Sequence, residues 1–562
     1  MAALTGGFLF GQTALPEPQS PPLPPQEPLR VPTRVGVFGE TSIGLAEVIQ
    51  RVLANDPDIA ISQIERSESV LNIKAAKGYF DPRLGLNAHR LKSVTPVSSS
   101  LGGAANGKLA QKELYADPQL SGESPWLGTT YRLDFASARQ STDNEFASLS
   151  PQFPTSVNLN LTQPLWRGLR YDDNRHRLQV SRKNRQLTDE QFRQRVIEVT
   201  TQAIDYYWEL VFAHRNFAVQ LEAVRLAEQQ DASNRRQVAQ GLLAPADVIQ
   251  TQTQIANFQQ TLFAAQEALT RAENNLKTLI LPSRNDLMWG VALTPETPPS
   301  GAALMPTLEN ATREALSQRP ELAETNINLG INELDARLSR ELAKPQIDAV
   351  GTFSLQGLAG RPIPAGPNPF TGAFAPLAEQ INELSTLAGL PPLGPISFGT
   401  TAIPPIFVGG YSQSLSTLSS AQFPIASVGV QMSLPIRNRT ASANAAISVL
   451  EGKRLQVVRA QVEMAIEADV RGALQTVSSA RARLDSAVLA RRSADEQYAS
   501  EQRQFQAGTS SVYLVLQRQT ELIAARSREI RAQADLGQAN ASLDRATAHT
   551  LETQNIKLAT IK

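Results

Sequence analysis

Residues 237–256 read QVAQGLLAPADVIQTQTQIA, and this stretch interrupts the longest helical run in the chain. No proline or glycine occurs from Tyr171 to Val238. Gly241, Leu242, Leu243, Pro245 and Asp247 then arrive together, before a second proline-free run that extends to about Ile280. The pattern predicts two long helices joined by a tight turn. Gly241 supplies a left-handed cap, Pro245 suits a first helical turn, and Asp247 sits near the new N-terminus. Residues 504–524, QFQAGTSSVYLVLQRQTELIA, repeat the stretch: Gly241 aligns with Gly508, Val248 with Val515, Gln250 with Gln517, and Thr253 with Thr520. The chain therefore reads as a tandem duplication with two helix-turn-helix tips.

Other landmarks follow the same duplication. NDPDIA and QRPELA place Pro57 and Pro320 in matching helices, and Pro82 and Pro345 follow at the same distance in each copy. At each second proline the helical period gives way to alternation. Leu84, Leu86 and Ala88 alternate with polar neighbours, as do Ile347, Ala349, Gly351 and Phe353 in the second copy. Return strands are expected around Val157, Leu159 and Leu161, and around Val428, Val430 and Met432. Alternation of this kind gives one apolar and one polar face. It fits a soluble sandwich, and equally a membrane barrel with lipid outside and water inside.

Polar or Pro/Gly/Ser-rich insertions separate the strands, at 92–128 and 140–155 in the first copy and 356–425 in the second. Tyr131, Leu133 and Phe135 alternate with Arg132 and Asp134, so the first insertion also holds an extra strand of no assigned place. The expected helices are 42–79, 171–238 and 246–280, then 308–343, 443–505 and 512–549. The first long helix would span roughly 100 Å and each short one roughly 55 Å, so two short helices end to end match one long one. Residues 281–307 form the break between stages. The organisation is thus 42–300 and 301–562 as two structural repeats, with strand regions about 82–165 and 345–436 that are the barrel strands if the sheet is a membrane one. Residues 1–41 precede them as a signal remnant and a proline-rich linker. Ala3–Ala14 has the apolar core of a secretory signal without a preceding basic residue, and an unstructured tail reads as well.

Composition narrows the function. The 562 residues hold 53 Lys and Arg against 53 Asp and Glu, so no basic surface invites nucleic acid. There is no cysteine, which excludes disulfides, thiolate metal sites and cysteine nucleophiles. The four histidines are isolated and show no ligand spacing, and no nucleophile or phosphate-binding motif stands in a meaningful context. No catalytic residue, cofactor or metal is expected, and the chain is not expected to be an enzyme. No run of eighteen apolar residues occurs, so any membrane-embedded part rests on strands.

The duplicated helix–strand–strand–long helix order, the strand exits LTQPLWRG (from Leu161) and MSLPIRNR (from Met432), and the two glycine tips resemble the TolC family of outer-membrane efflux proteins. The likeness covers about residues 42–550 and rests on the order and duplicate spacing of short motifs. It implies a mainly α protein with a membrane β-barrel: a homotrimer giving four strands per subunit to a twelve-stranded barrel continuous with a long helical periplasmic tunnel. It implies a passive conduit in outer-membrane lipid, working in efflux or type I secretion with a periplasmic adaptor and an inner-membrane pump of RND, ABC or MFS type. The tips, Gly241, Leu242 and Leu243 with Gly508, Thr509 and Ser510, would dock the adaptor, and Asp247 matches a family carboxylate near the gate. In the second tip the acidic aperture positions of the best-known member hold Leu514 and Gln517, and an arginine position holds Ser510. Constriction is therefore expected from Tyr513, Leu514 and Gln517 instead. A soluble periplasmic coiled-coil scaffold or an adaptor is the alternative reading, and it leaves the duplicated strands unexplained.

Overall fold

Prolines and glycines set the joints of the fold. The computed structural model describes residues 29–98, 102–104, 106–297, 305–363, 369–394 and 402–557. The signal-like stretch Ala3–Ala14 lies outside them. In chain order the elements are β1 (Gly39–Ile43), α1 (Leu45–Asn55), α2 (Pro57–Lys77), β2 (Arg83–Pro96), β3 (Lys108–Glu123), β4 (Thr130–Thr142), β5 (Leu149–Pro164), α3 (Asp173–Ala239) and α4 (Pro245–Ile280). They continue with β6 (Val291–Pro295), α5 (Leu308–Gln318), α6 (Pro320–Leu342), β7 (Gln346–Pro362), α7 (Pro369–Leu387), α8 (Tyr411–Ser419), β8 (Pro424–Ser433), α9 (Arg439–Gln506) and α10 (Val512–Ala546). Helices, strands, a long helix and a shorter helix thus occur twice in the same order.

Several expectations are corrected. The helices expected at 42–79 and 308–343 are each two, because Pro57 and Pro320 force the preceding residue out of helical geometry: ψ is 127° at Asp56 and 129° at Arg319. The two joints differ in chemistry. Asp56 Oδ1 accepts the N–H groups of Asp58 and Ile59 at 3.0 and 3.1 Å and caps α2. Arg319 pairs with Glu321 and Asp469, each at 2.7 Å. Residues 39–43, read as the end of the linker and the helix start, and 291–295, read as part of the break between helices, form a parallel two-stranded pair, β1 with β6. The segments 92–128 and 140–155, read as insertions, contain β3, parts of β4 and the start of β5. The 356–425 insertion contains the end of β7 and helices α7 and α8. Where four strands are expected per chain, the described residues hold six in one sheet of order β2-β3-β4-β5-β7-β8.

The chain forms two compact units, each drawing on both repeats. The first comprises Met1–Ser67, Leu187–Asn326 and Val457–Lys562; the second comprises Glu68–Gln186 and Ile327–Gln456. The first unit is helical with the β1–β6 pair. Its core joins Val48, Ile49 and Val52 of α1 to Val196, Ile204, Tyr207 and Leu210 of α3 and to Leu276 and Ile280 of α4. A second cluster sets Ala311 and Ala315 of α5 against Ile466, Val470 and Val477 of α9 and Ala539 and Ala546 of α10. Small residues let backbones approach: a Cβ on Gly537 of α10 would lie 2.4 Å from the ring of Trp208, which is buried on α3.

One charge cluster in this unit is almost wholly buried. Glu273 and Lys277 of α4 are each 1% exposed and pair at 2.9 Å. Lys277 Nζ also donates to the carbonyls of Trp289 and Val291 at 3.1 and 2.6 Å, and Glu273 Oε1 accepts the Leu293 N–H at 3.1 Å. Arg34 completes the set through the other carboxylate oxygen, and its Nε donates to Thr270 at 3.3 Å. Buried charges persist when such hydrogen bonds offset their desolvation. The cluster fastens the extended N-terminal segment along α4, where Gln266 also donates to Pro32 O at 2.7 Å.

The second unit is built on the six-stranded sheet. All its pairings are antiparallel, and register runs without interruption along most of each ladder. Pro118 sits inside β3, where it has no N–H to give; the β3–β4 ladder passes from Ala116–Ser137 to Gln119–Asp134 around it.

Candidate functional site

The sheet has two chemically distinct faces, and register aligns them across every strand. One row reads Leu84, Leu120, Leu133, Leu159, Phe353 and Ala426 through five successive pairings. The adjacent row, on the opposite face, reads Arg83, Ser121, Arg132, Asn160, Thr352 and Ser427. The apolar row is left open: Leu84 is 82% exposed, and Val428 and Val430 on the same face are 90% and 69% exposed. On the polar face Asp117 and Asp134 are 4% and 7% exposed, while toward one end of the sheet α8 covers the apolar face, with Thr155 against Ser414 at 2.8 Å. On the polar face Asn158 donates to Asp134 at 2.6 Å, accepts from Ser354 at 2.6 Å, and Arg132 pairs with Asp134 at 3.3 Å. A sheet with an exposed apolar row beside a row of polar side chains suits lipid on one side and water on the other. Strands of 10 to 17 residues meet the roughly 9–11 residues that a tilted strand needs to cross a bilayer.

At the junction between strands and α3, one arginine gathers three segments. Arg175, near the start of α3, pairs with Asp172 at 2.5 Å and donates to Leu169 O and Trp126 O, both at 3.0 Å, and to Gly168 O at 2.8 Å. Asn174 donates to Glu123 at 2.7 Å, and Gln163 donates to Leu127 O at 3.2 Å. The β3–β4 turn is thereby locked to the strand exit after β5. Gly128 in that turn has φ +68°, and a Cβ there would meet Arg175 Nη2 at 2.7 Å and Gly168 O at 2.9 Å. Only glycine fits. Trp126 and Leu127 stand 83% and 52% exposed beside it, as interfacial residues do. Sequence reading noted Trp166 as part of the strand exit LTQPLWRG and missed Trp126 and the Arg175 cluster. The local signal was a tryptophan and a glycine between two alternating runs.

The tips form as the duplication predicts. α3 and α9 end in the same motif: Gly241 N–H donates to Val238 O at 3.0 Å and Leu242 N–H to Gln237 O at 2.9 Å. In the second copy Gly508 N–H donates to Phe505 O at 3.0 Å and Thr509 N–H to Gln504 O at 2.9 Å. Both glycines take the left-handed conformation, φ +73° and +79°, with open space where a Cβ would stand. Leu242 is 71% exposed, Leu243 is half-buried, Gly508 and Thr509 are exposed, and Ser510 bonds to Glu501. Asp247 accepts the Ala244 N–H at 3.2 Å, so its carboxylate caps α4. Its duplicate position, Leu514, leaves the start of α10 without that bond.

Tyr513, Leu514 and Gln517 lie on the first turns of α10, exposed at 58% and 38% for the first two. Gln517 donates to Glu521 at 3.1 Å, and a hydrogen bond from Arg518 holds Glu521 below the usual carboxylate range. The two hairpins touch through Gln254 of α4, which donates to Thr520 of α10 at 3.0 Å. Gly241 and Gly508 are thus geometrically equivalent, while Asp247 and Leu514 are not. Among the described residues no group of three or more His, Asp or Glu is placed to hold a metal, and no helix is long and apolar enough to cross a membrane.

The profile of the outer membrane efflux protein family matches residues 48–280 and 406–549, and the chain belongs to that family. Its fold is similar to that of the Campylobacter jejuni CmeC outer membrane channel, at 14% identity and TM-score 0.60 over 94% of this chain and 95% of that one. CusC, a transmembrane channel, matches at 16% identity and TM-score 0.60 over 92% and 98%. The open state of the Neisseria gonorrhoeae MtrE outer membrane channel matches at 13% and 0.54 over 90% and 89%. At these identities the likeness to the solved structures is one of fold. No curated protein sequence matches the chain. Membership makes this an outer-membrane efflux channel protein with its helical part in the periplasm.

Proposed function

We propose that the chain is the outer-membrane duct of a tripartite efflux or type I secretion assembly, a passive homotrimer through which an inner-membrane pump expels its cargo. The observation that carries this reading is the pair of adjacent sheet rows, one wholly apolar and the next wholly polar, running across all six strands. A soluble scaffold has no use for an exposed leucine row. Fractionation tests it: a heat-modifiable trimer in outer membranes supports the duct, and a soluble monomer overturns it.

The tips serve as the docking end for a periplasmic adaptor in this reading. Both present a left-handed glycine followed by exposed side chains, a shape a helical hairpin can meet. Leu242→Asp should then abolish efflux while the trimer still reaches the outer membrane. Closure at rest falls to Tyr513, Leu514 and Gln517, with no acidic ring. A charge added by Gln517→Glu should raise cation selectivity in bilayer recordings, and unchanged selectivity removes these residues from the constriction. Asp247 acts there as a helix cap.

A further inference from the structure

Among the described residues the hairpin β3–β4 has no counterpart in the second repeat, and it lies between β2 and β5 in the sheet. We propose that this hairpin is part of the membrane wall, and that three copies close a barrel of eighteen strands. The inference rests on the trimeric duct proposed above, and adds the width of its mouth.

Three observations carry it. First, β3 and β4 continue the apolar rows in register: Leu120 and Leu133 stand between Leu84 of β2 and Leu159 of β5. A hairpin folded over the mouth has no reason to keep the lipid-facing pattern of the wall. Second, its turn is fixed at the strand-to-helix junction by Arg175, Asn174 and Gln163, around a glycine that nothing larger can replace. A loose flap would not be held there.

Third, the edges demand it. All five pairings are antiparallel, so β2 and β8 run in opposite directions. The free edge of β8 in one copy can therefore pair antiparallel with the free edge of β2 in the next. Unpaired backbone groups are not tolerated in lipid, and six strands are fewer than the eight of the smallest outer-membrane barrels. Closure must come from further copies of this chain. Three copies give eighteen strands instead of twelve, and since barrel diameter grows about linearly with strand number the mouth is about 1.5 times wider.

The hairpin also changes the lining. On the polar face Arg83 of β2 and Asp348 of β7 stand among Asn, Ser, Thr and Gln, and β3 and β4 add Asp117, Arg132 and Asp134. The added arc increases the charge of the lining.

Electron cryomicroscopy of the full-length chain in lipid nanodiscs should count eighteen strands at the mouth. Twelve, with β3–β4 outside the wall, overturns the inference and leaves the duct intact; no barrel at all overturns both. A variant lacking Lys108–Thr142 joins β2 to β5 at the ends they already share and should form a twelve-stranded barrel. In bilayer recordings with graded polyethylene glycols added at the mouth, the radius of the largest polymer admitted should be about 1.5-fold smaller in this variant than in the full chain. Equal cut-offs overturn the proposal. Should the variant fail to assemble, the strand count of the full chain decides alone.

Discussion

The two repeats agree in backbone and differ in what hangs on it. Both break their first helix at a proline, both end their long helix in the same glycine motif, and both return to a shorter helix. Yet the first contributes four strands to the sheet and the second two, with α7 and α8 where the first has a hairpin. At the proline joints, a capping aspartate in one copy answers an arginine ion pair in the other. At the tips, a capping carboxylate answers a leucine. Positions that must bend the chain stay fixed between the copies; positions that only decorate the bend have diverged.

The largest effect belongs to the sheet faces. Leu159→Arg should cost about 2–4 kcal/mol in unfolding measurements from lipid, while Asn160→Arg, one residue along on the polar face, should cost far less. If both cost the same, the faces have been misassigned. Next comes the close approach of α10 to Trp208 of α3. Gly537→Ala drives a Cβ into buried Trp208 and should lose about 1–3 kcal/mol. Gly472→Ala on α9, with nothing within 4 Å, should gain up to about 1 kcal/mol from helix propensity. Thermal unfolding separates the two.

The tips supply the third comparison. Gly241→Ala and Gly508→Ala should each cost about 1–2 kcal/mol, because only the left-handed backbone is penalised. Clearly unequal costs, read by hydrogen exchange at the last turns of α3 and α9, would end the claim that the tips are equivalent. Asp247→Ala should loosen the start of α4 by about 0.3–1 kcal/mol, and Leu514→Ala should leave the start of α10 unchanged in the same experiment.

The smallest effect appears only as a pH slope. Burial first, then the charges of Glu321, Glu190 and Glu198, push the Glu324 carboxyl up to about 7. The folded chain then holds a proton that the unfolded chain has lost, so this contribution is full at low pH and is lost as pH rises through about 7. The aligned residue of the first repeat is Ile61, which has no charge to titrate. Glu324→Gln should flatten the dependence of the melting temperature between pH 5 and 8, and an unchanged slope would assign it elsewhere.

The helices were legible because prolines and glycines punctuate them; α3, α4, α9 and α10 lie within a few residues of expectation. Sequence periodicity could not show that Pro57 and Pro320 split their helices, since a proline is equally at home at a helix start. β4 announced itself through Tyr131, Leu133 and Phe135, but β3 was hidden. Its alternation at Leu114, Ala116 and Leu120 is broken by Pro118 and flanked by Gly and Ser, which reads as loop. Only the register with β2 restores it. The glycine tips were fully visible, whereas the Arg175 cluster joins residues from three segments and has no local signature. The β1–β6 pair is likewise a long-range parallel contact between two short stretches.

The buried charges around Glu273 carry a consequence for whatever precedes them. A segment held only by apolar contact can creep along a helix groove by a residue or two. Arg34 cannot, because moving it takes away the partner of the second carboxylate oxygen of Glu273, which is 1% exposed. The segment from Pro32 to Arg34 is therefore moored on α4 in a fixed register, tied at Gln266 and again at Glu273.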